Sequence, residues 1–240
     1  MLQWYEFLSS ARGIQSSDDV HRLTDYYAPG YQRLLSRVLP VDRHAPIYDA
    51  ARSPGLTMNI LRRLGYCNLE GTDLSATAIA IAKKLDLSAI QANSIEDLCS
   101  RQDGIFSRIF GVDFIEHLEK PNLIRFLQTA RTKLRNQDGV LILWCPNGDS
   151  PVVGRHLFND MTHVWTYTSI AITGVLRMSG FNRITFIDET QAFFMNKRWL
   201  KVPIHKLSST CAHLMIKAAT WENIEILAPS FWIVAATDCQ

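Results

Sequence analysis

The chain has 240 residues, 47% of them hydrophobic and 20% charged, a globular composition that excludes a disordered or fibrous chain. At roughly 150 residues per domain this length gives one large domain with an appendage, able to bury a core without disulfides or metals. Lys plus Arg number 25 and Asp plus Glu 23, and a net charge of +2 argues against duplex nucleic acid, which calls for a concentrated basic footprint.

Residues 1–45 read as a helical segment, with Tyr26, Tyr27, Tyr31, Leu34, Leu35 and Val38 forming an apolar stripe that Pro40 and Pro46 end. From residue 47 short apolar runs alternate with amphipathic stretches, the pattern of βαβ units. The spacing predicts strands at 47–50, 67–72, 89–92, 106–112, 140–144, 181–187 and 231–236. Between them it predicts a helix carrying Leu56, Ile60 and Leu64 and stopped by Gly65, and a helix capped by Ser75 and running to about Leu85. A third has Pro121 in its first turn and ends near Leu134; a fourth starts at Thr168 and is closed by Gly180. Residues 190–228 form an insertion of helical pattern. The whole is an α/β, doubly wound, mostly parallel seven-stranded sheet. Such sheets bind ligands at the carboxyl ends of their strands, where strand order reverses.

Cys67, Cys99, Cys145, Cys211 and Cys239 are scattered, without a CxxC pair or zinc spacing; they read as reduced thiols of a cytoplasmic protein, and no metal site is expected. Met1 to Glu6 lack the basic and apolar regions of a signal peptide, and no apolar run approaches the ~20 residues of a membrane span.

Asp49 and Asp73 stand at the ends of the first two predicted strands. A carboxylate after the second strand of a nucleotide-binding sheet accepts from the two ribose hydroxyls; the alternative for Asp73 is a helix N-terminal carboxylate beside Ser75.

Several segments together resemble class I S-adenosylmethionine-dependent methyltransferases. They are Ile47 to Gly55, Leu64-Gly65-Tyr66, Gly71-Thr72-Asp73-Leu74-Ser75, Asp113-Phe114-Ile115-Glu116-His117-Leu118, Asp138 to Ile142 and Pro146-Asn147. The likeness is strongest to the branch of quinone and bacterial surface-glycan enzymes, with Asn159 to His163, Tyr167-Thr168 and Ser179-Gly180-Phe181 pointing to the glycan members. It implies the family's Rossmann-like fold over 46–240, with the seventh strand antiparallel beside the fifth, and S-adenosyl-L-methionine as cofactor. It also implies O-methylation of a sugar or glycan intermediate in polysaccharide biosynthesis.

The first motif departs from the family's acidic-x-Gly-x-Gly-x-Gly: Asp49 is followed by Ala51, Ser53 and Gly55. A side chain forced into a left-handed turn costs roughly 1–2 kcal/mol, so the resemblance implies a cofactor site weakened about tenfold to a few hundredfold. Arg52 offers a partner for the cofactor's carboxylate, or is a solvent-exposed arginine. The resemblance assigns Asp73 to the ribose, with Leu74 beside it. It assigns Asn93 and Ser94 to the adenine, against a plain turn role for Asn93. Asp113, Glu116 and His117 fall in the loop beside the methyl donor.

Transfer to a hydroxyl needs a base. His163 is the first candidate, with Asp160 to orient it; the two otherwise form a local cap. His117 is the competing base or a structural histidine. The insertion carries Arg198, Trp199, Lys201, His205, Lys206 and Lys217, a surface for an acceptor, a membrane face or a protein partner, or a lid on its own domain. The eroded turn leaves an alternative open, a catalytically inactive binding or scaffolding subunit. A dehydrogenase is disfavoured, since no GxGxxG follows the first strand.

Overall fold

A reciprocal cap opens the first helix. A computed structural model describes residues 14–50, 54–190 and 202–237. In it Ser16 Oγ accepts from the Asp19 amide while the Asp19 carboxylate accepts from the Ser16 amide, starting α1, Ser17–Leu35. Pro29 lies inside α1, where it removes one bond of the ladder without ending the helix. Nor does Pro40 end it: the amides of Val38 and Leu39 turn back to the Leu35 carbonyl and close α1 five residues earlier than expected.

Seven strands follow. Five are parallel: β1 (Ile47–Asp49), β2 (Leu69–Asp73), β3 (Ala89–Gln91), β4 (Arg108–Val112) and β5 (Val140–Pro146). β6 (Arg183–Asp188) and β7 (Ser230–Ala236) pair antiparallel, and β7 enters antiparallel beside β5. The order is β3-β2-β1-β4-β5-β7-β6, as the resemblance implies. Three strands start later than predicted: β2, β4 and β6, the last because Phe181 still gives its amide to the Leu176 carbonyl of the preceding helix. Cys67 gives its amide to the Arg43 carbonyl before β2 begins, and Phe106 makes only an isolated bridge with Leu134 before β4.

The connecting helices are α2 (Leu56–Arg63), α3 (Ala76–Lys84), α4 (Ser94–Ser100), α5 (Lys120–Lys133), α6 (Val153–Leu157), α7 (Ser169–Met178) and α8 (Val202–Thr220). Ser75 and Thr168 cap α3 and α7 through the amides of Ala78 and Ala171, and Pro121 sits in the first turn of α5, all as predicted. Gly65 and Gly180 complete Schellman turns at φ +96° and +95°, each with the next residue's amide reaching five residues back. Helices α4 and α6 were not foreseen.

Alternate residues of the central strands face opposite layers. Ile109, Leu141, Leu143, Phe231 and Ile233 pack with Leu98, Phe126, Ile172 and Leu176 of α4, α5 and α7. Phe110, Ile142 and Trp232, their neighbours in sequence, pack with Tyr31 and Leu35 of α1 and with Ile60 and Leu61 of α2. Each buried side chain of this size contributes about 1.5–3 kcal/mol, and the alternation is why β4 and β5 are apolar on both faces. Among the described residues no helix is long and apolar enough to cross a membrane.

Candidate active site

Strand order reverses between β1 and β4, so the carboxyl ends of β1, β2, β4 and β5 border one crevice. Asp49 and Asp73 end β1 and β2, each about 5% exposed. Tyr31 of α1 borders the same crevice. Burial raises its phenol, and the charges of Asp49 and Asp113 add to the shift.

On the β1–β2–β3 side, polar groups are committed to the fold. Asp73 Oδ1 accepts from the Ser75 amide at 2.7 Å. Asn93 caps α4, its Oδ1 accepting from the amides of Ile95 (2.9 Å) and Glu96 (3.3 Å). Ser94 is buried: its Oγ accepts from Thr72 at 2.9 Å and donates to the Ala50 carbonyl at 3.1 Å, tying α4 to the ends of β1 and β2. Leu74 is the exception, 56% exposed directly after Asp73. Gly55, the one glycine kept from the first motif, caps α2 at φ +82°, and an added Cβ would lie 2.5 Å from Leu87 Cδ1. Its retention therefore has a packing reason as well as a conformational one. Ala51, Arg52 and Ser53 lie outside the described residues, as do Arg198, Trp199 and Lys201.

On the β4–β5 side the chain turns sharply. Asp113 adopts φ +55° and gives its amide to the Trp144 carbonyl at 3.0 Å, and a single 3-10 turn, Ile115–His117, follows. Glu116 is fully buried. The segment after α6 docks on this turn: the amides of Val164 and Trp165 donate to the Glu116 carbonyl at 2.8 and 3.2 Å. His117 Nδ1 lies 3.1 Å from the Thr162 carbonyl, and His163 Nδ1 lies 2.9 Å from the Leu157 carbonyl. A carbonyl only accepts, so each imidazole donates from Nδ1 and turns its Nε2 toward the niche.

The two rings stand 4.5 Å apart, and one ligand atom from each of Asp113, Glu116, His117 and His163 lies within 4.8 Å of all the others. Asp160 serves this assembly indirectly. Its Oδ1 accepts from the amide and hydroxyl of Thr162, while Oδ2 is 4.0 Å from His163 Nε2, beyond hydrogen-bond range. The Leu157 carbonyl, not Asp160, fixes the His163 ring. Beneath the cluster the Cys145 thiol is held well above its ordinary range, first by burial and then by the charges of Glu116 and Asp113.

A cavity of about 550 Å³ opens beside His163, walled by Leu157, Phe158, Met161, Val164 and Trp165. Phe158 and Met161 are 82% and 70% exposed, and the Lys120 ammonium sits 4.0 Å above the Trp165 ring. Asn147 works as a brace: its side-chain amide donates to the carbonyls of Ile226 and Ala228, joining the end of β5 to the approach of β7. The structure thus unites His163, Asp160, His117, Asp113 and Glu116 in one place and sets Asp49, Gly55, Asp73, Leu74, Asn93 and Ser94 along the neighbouring strand ends. Sequence reasoning missed Thr162, which links Asp160 to His117, and the wall formed by Phe158 and Trp165.

No family model matches the sequence, and no curated protein does. Solved structures do. An S-adenosylmethionine-dependent methyltransferase of Thermotoga maritima is similar over 98% of both chains, with 14% identity and a TM-score of 0.64. One from Archaeoglobus fulgidus has 14% identity and a TM-score of 0.62, covering 88% of this chain and 99% of its own. Geranyl diphosphate C-methyltransferase of Streptomyces coelicolor A3(2), solved with S-adenosyl-L-homocysteine, has 15% identity and a TM-score of 0.57 over 93% and 84%. The chain therefore has the Rossmann-like fold of the S-adenosylmethionine-dependent methyltransferases.

Proposed function

We propose that this chain transfers the methyl group of S-adenosylmethionine to an acceptor hydroxyl on a sugar or glycan intermediate. One observation carries the reading: two imidazoles, each held through Nδ1 by a backbone carbonyl, turn their Nε2 atoms into a carboxylate-lined niche at the carboxyl end of β4. Asp73 is the ribose acceptor, Leu74 the apolar face for the adenine, and Asp49 a further polar wall of the cofactor site, with Gly55 shaping the turn between. Asn93 and Ser94 act there by holding α4 in place. Ala51, Arg52 and Ser53 complete the turn around the methionine portion.

The acceptor oxygen attacks the methyl carbon in line with the departing sulfur. The carbon–sulfur bond breaks and its electron pair stays on sulfur, giving S-adenosylhomocysteine. The hydroxyl, with a pKa of about 15, loses its proton to the niche. His163 Nε2 is the acceptor of that proton, and His117 Nε2 stands beside it. Phe158 and Trp165 suit a sugar, whose C–H faces stack on aromatic rings while its hydroxyls reach inward. The exposed Leu207, Leu214 and Met215 of α8 offer a surface for a partner. Free thiols at Cys67, Cys99, Cys145 and Cys211 fit a reducing cytoplasmic setting.

Calorimetric titration with S-adenosylmethionine and S-adenosylhomocysteine tests the reading. Binding in the micromolar to high-micromolar range is expected, and silence at millimolar ligand sinks it. Ala51→Gly combined with Ser53→Gly should tighten binding about tenfold; an unchanged or weaker affinity would show that the turn has another role.

A further inference from the structure

Helices α1 and α8 are both 19 residues long, and they are used in opposite ways. α1 buries Val20, Thr24, Ala28, Tyr31 and Leu35. Among residues 207–220 of α8 none is buried. That exposure has an order. Leu207, Cys211, Leu214 and Ala218 follow one another at intervals of four, three and four residues, and all four are exposed. The half-buried positions of the same stretch, Ser209, Ala212, His213 and Ile216, lie on the opposite face. One side of α8 is thus partly covered, and the other turns a 3.5-residue repeat outward. A narrow stripe of that period seats the side chains of a second helix between its turns. A helix lying on a membrane carries a broader apolar face, with a strongly basic face behind it.

Trp221 follows the helix with its backbone at φ +63° and its side chain 91% exposed. A bulky residue in the left-handed region is strained, and no burial within its own chain offsets the strain. Next to it stand Glu222 and Glu225, both exposed, past the C-terminal end of a helix that contains no acid of its own. A helix dipole disfavours acids at that end and favours them at an N-terminus. An antiparallel second copy of α8 brings its N-terminal end to these acids. The stripe is then complementary to itself: Leu207 of one copy meets Ala218 of the other, and Leu214 meets Cys211, large against small at each step. A parallel copy would set leucine on leucine and alanine on alanine, and would bring the acids together.

We propose that the outward face of α8 is the interface of a two-fold dimer of this chain, with the two helices antiparallel. The axis passes between positions 212 and 213. The proposal gives the exposed surface of α8 one occupant, a second copy, and does not depend on methyl transfer.

Sedimentation velocity of the full chain across micromolar concentrations tests it. A reversible monomer–dimer equilibrium is expected. Leu207→Ser combined with Leu214→Ser should weaken it at least tenfold, without changing the melting temperature of the dilute chain. Ile170→Ser, at an exposed position of α7, should leave it unchanged. A chain that stays monomeric throughout, or a dimer that survives the double substitution, overturns the interface. So does a monomer that floats with vesicles of anionic phospholipid, which would make α8 a membrane face. Orientation is read with a short bis-maleimide in a Cys67→Ser, Cys211→Ser, Cys239→Ser background, which also decides if the double variant fails to fold. Ala218→Cys copies should link to Leu207→Cys copies but not to one another, because antiparallel alignment sets the two 218 positions about 16 Å apart along the axis. Self-linking of Ala218→Cys overturns the arrangement. Cofactor binding by a chain that never dimerises removes the interface alone; a dimer that binds no cofactor removes the methyl-transfer reading and leaves the interface standing.

Discussion

On the β1–β2–β3 side of the crevice, Asn93, Ser94 and Thr72 give their side chains to neighbouring backbone and to one another, and the polar network closes on itself. On the β4–β5 side, His117 and His163 give only one nitrogen to the backbone and hold the other toward a shared niche. The first arrangement builds a rigid wall on which a ligand can lie. The second gathers two ring nitrogens and two carboxylates at a buried polypeptide turn. In the sequence the altered glycine motif follows β1, on the first side; the two histidines with Asp113 and Glu116 are all on the second.

Substitutions can break that contrast. Gly55→Ala should be the most damaging, destabilising the chain by about 3–4 kcal/mol from the left-handed backbone and the collision with Leu87 together; the denaturant midpoint would report it. His163→Ala should lower turnover about a hundredfold or more while leaving S-adenosylhomocysteine affinity within threefold. Loss of cofactor affinity instead would mean that the two sides are not separate.

A third carboxylate sharpens the contrast by its pH behaviour. Glu189, accepting from the Trp144 indole at 3.0 Å, has its pKa raised by burial to about 7. The folded state therefore holds this proton through a range where the unfolded chain has released it, so stability falls as pH rises from about 5 through 7. Glu189→Gln should abolish that slope, leaving the variant more stable than the parent at pH 8 by on the order of 2 kcal/mol and equal to it near pH 4; melting temperatures across this range would show it. The smallest effect is expected for Asn93→Ala, about 1 kcal/mol of stability from the lost cap with cofactor affinity unchanged. An affinity loss of tenfold or more would return Asn93 to the adenine contact that the family resemblance assigns it.

Caps and stops were legible wherever one residue type meets one local need, as with Ser75, Thr168, Pro121, Gly65 and Gly180. Strand order was not written in spacing; it came with the family resemblance, because pairing partners such as Leu141 and Ala235 are far apart in the chain. Helix α4 carried a readable signal in Asn93 and Glu96, a capping residue with an acid three positions on, and was overlooked because it is barely two turns long. The niche was half legible. Asp113, Glu116 and His117 announced themselves as a segment, but His163 lies 46 residues beyond His117, and no ligand spacing spans that distance. The groups that hold the two rings are backbone carbonyls, which every residue has and which leave no trace in a sequence.

The docking of Val164 and Trp165 on the Glu116 carbonyl has a consequence for selectivity. These two residues wall the cavity in which we propose that the acceptor lies, and the carbonyl they hold belongs to the residue whose side chain lies in the niche. An acceptor of the wrong shape that levers the wall outward must also drag on that turn and misalign the ring nitrogens. Poor substrates would thus bind almost as well as good ones yet react slowly, and discrimination would be read in rates before it is read in dissociation constants.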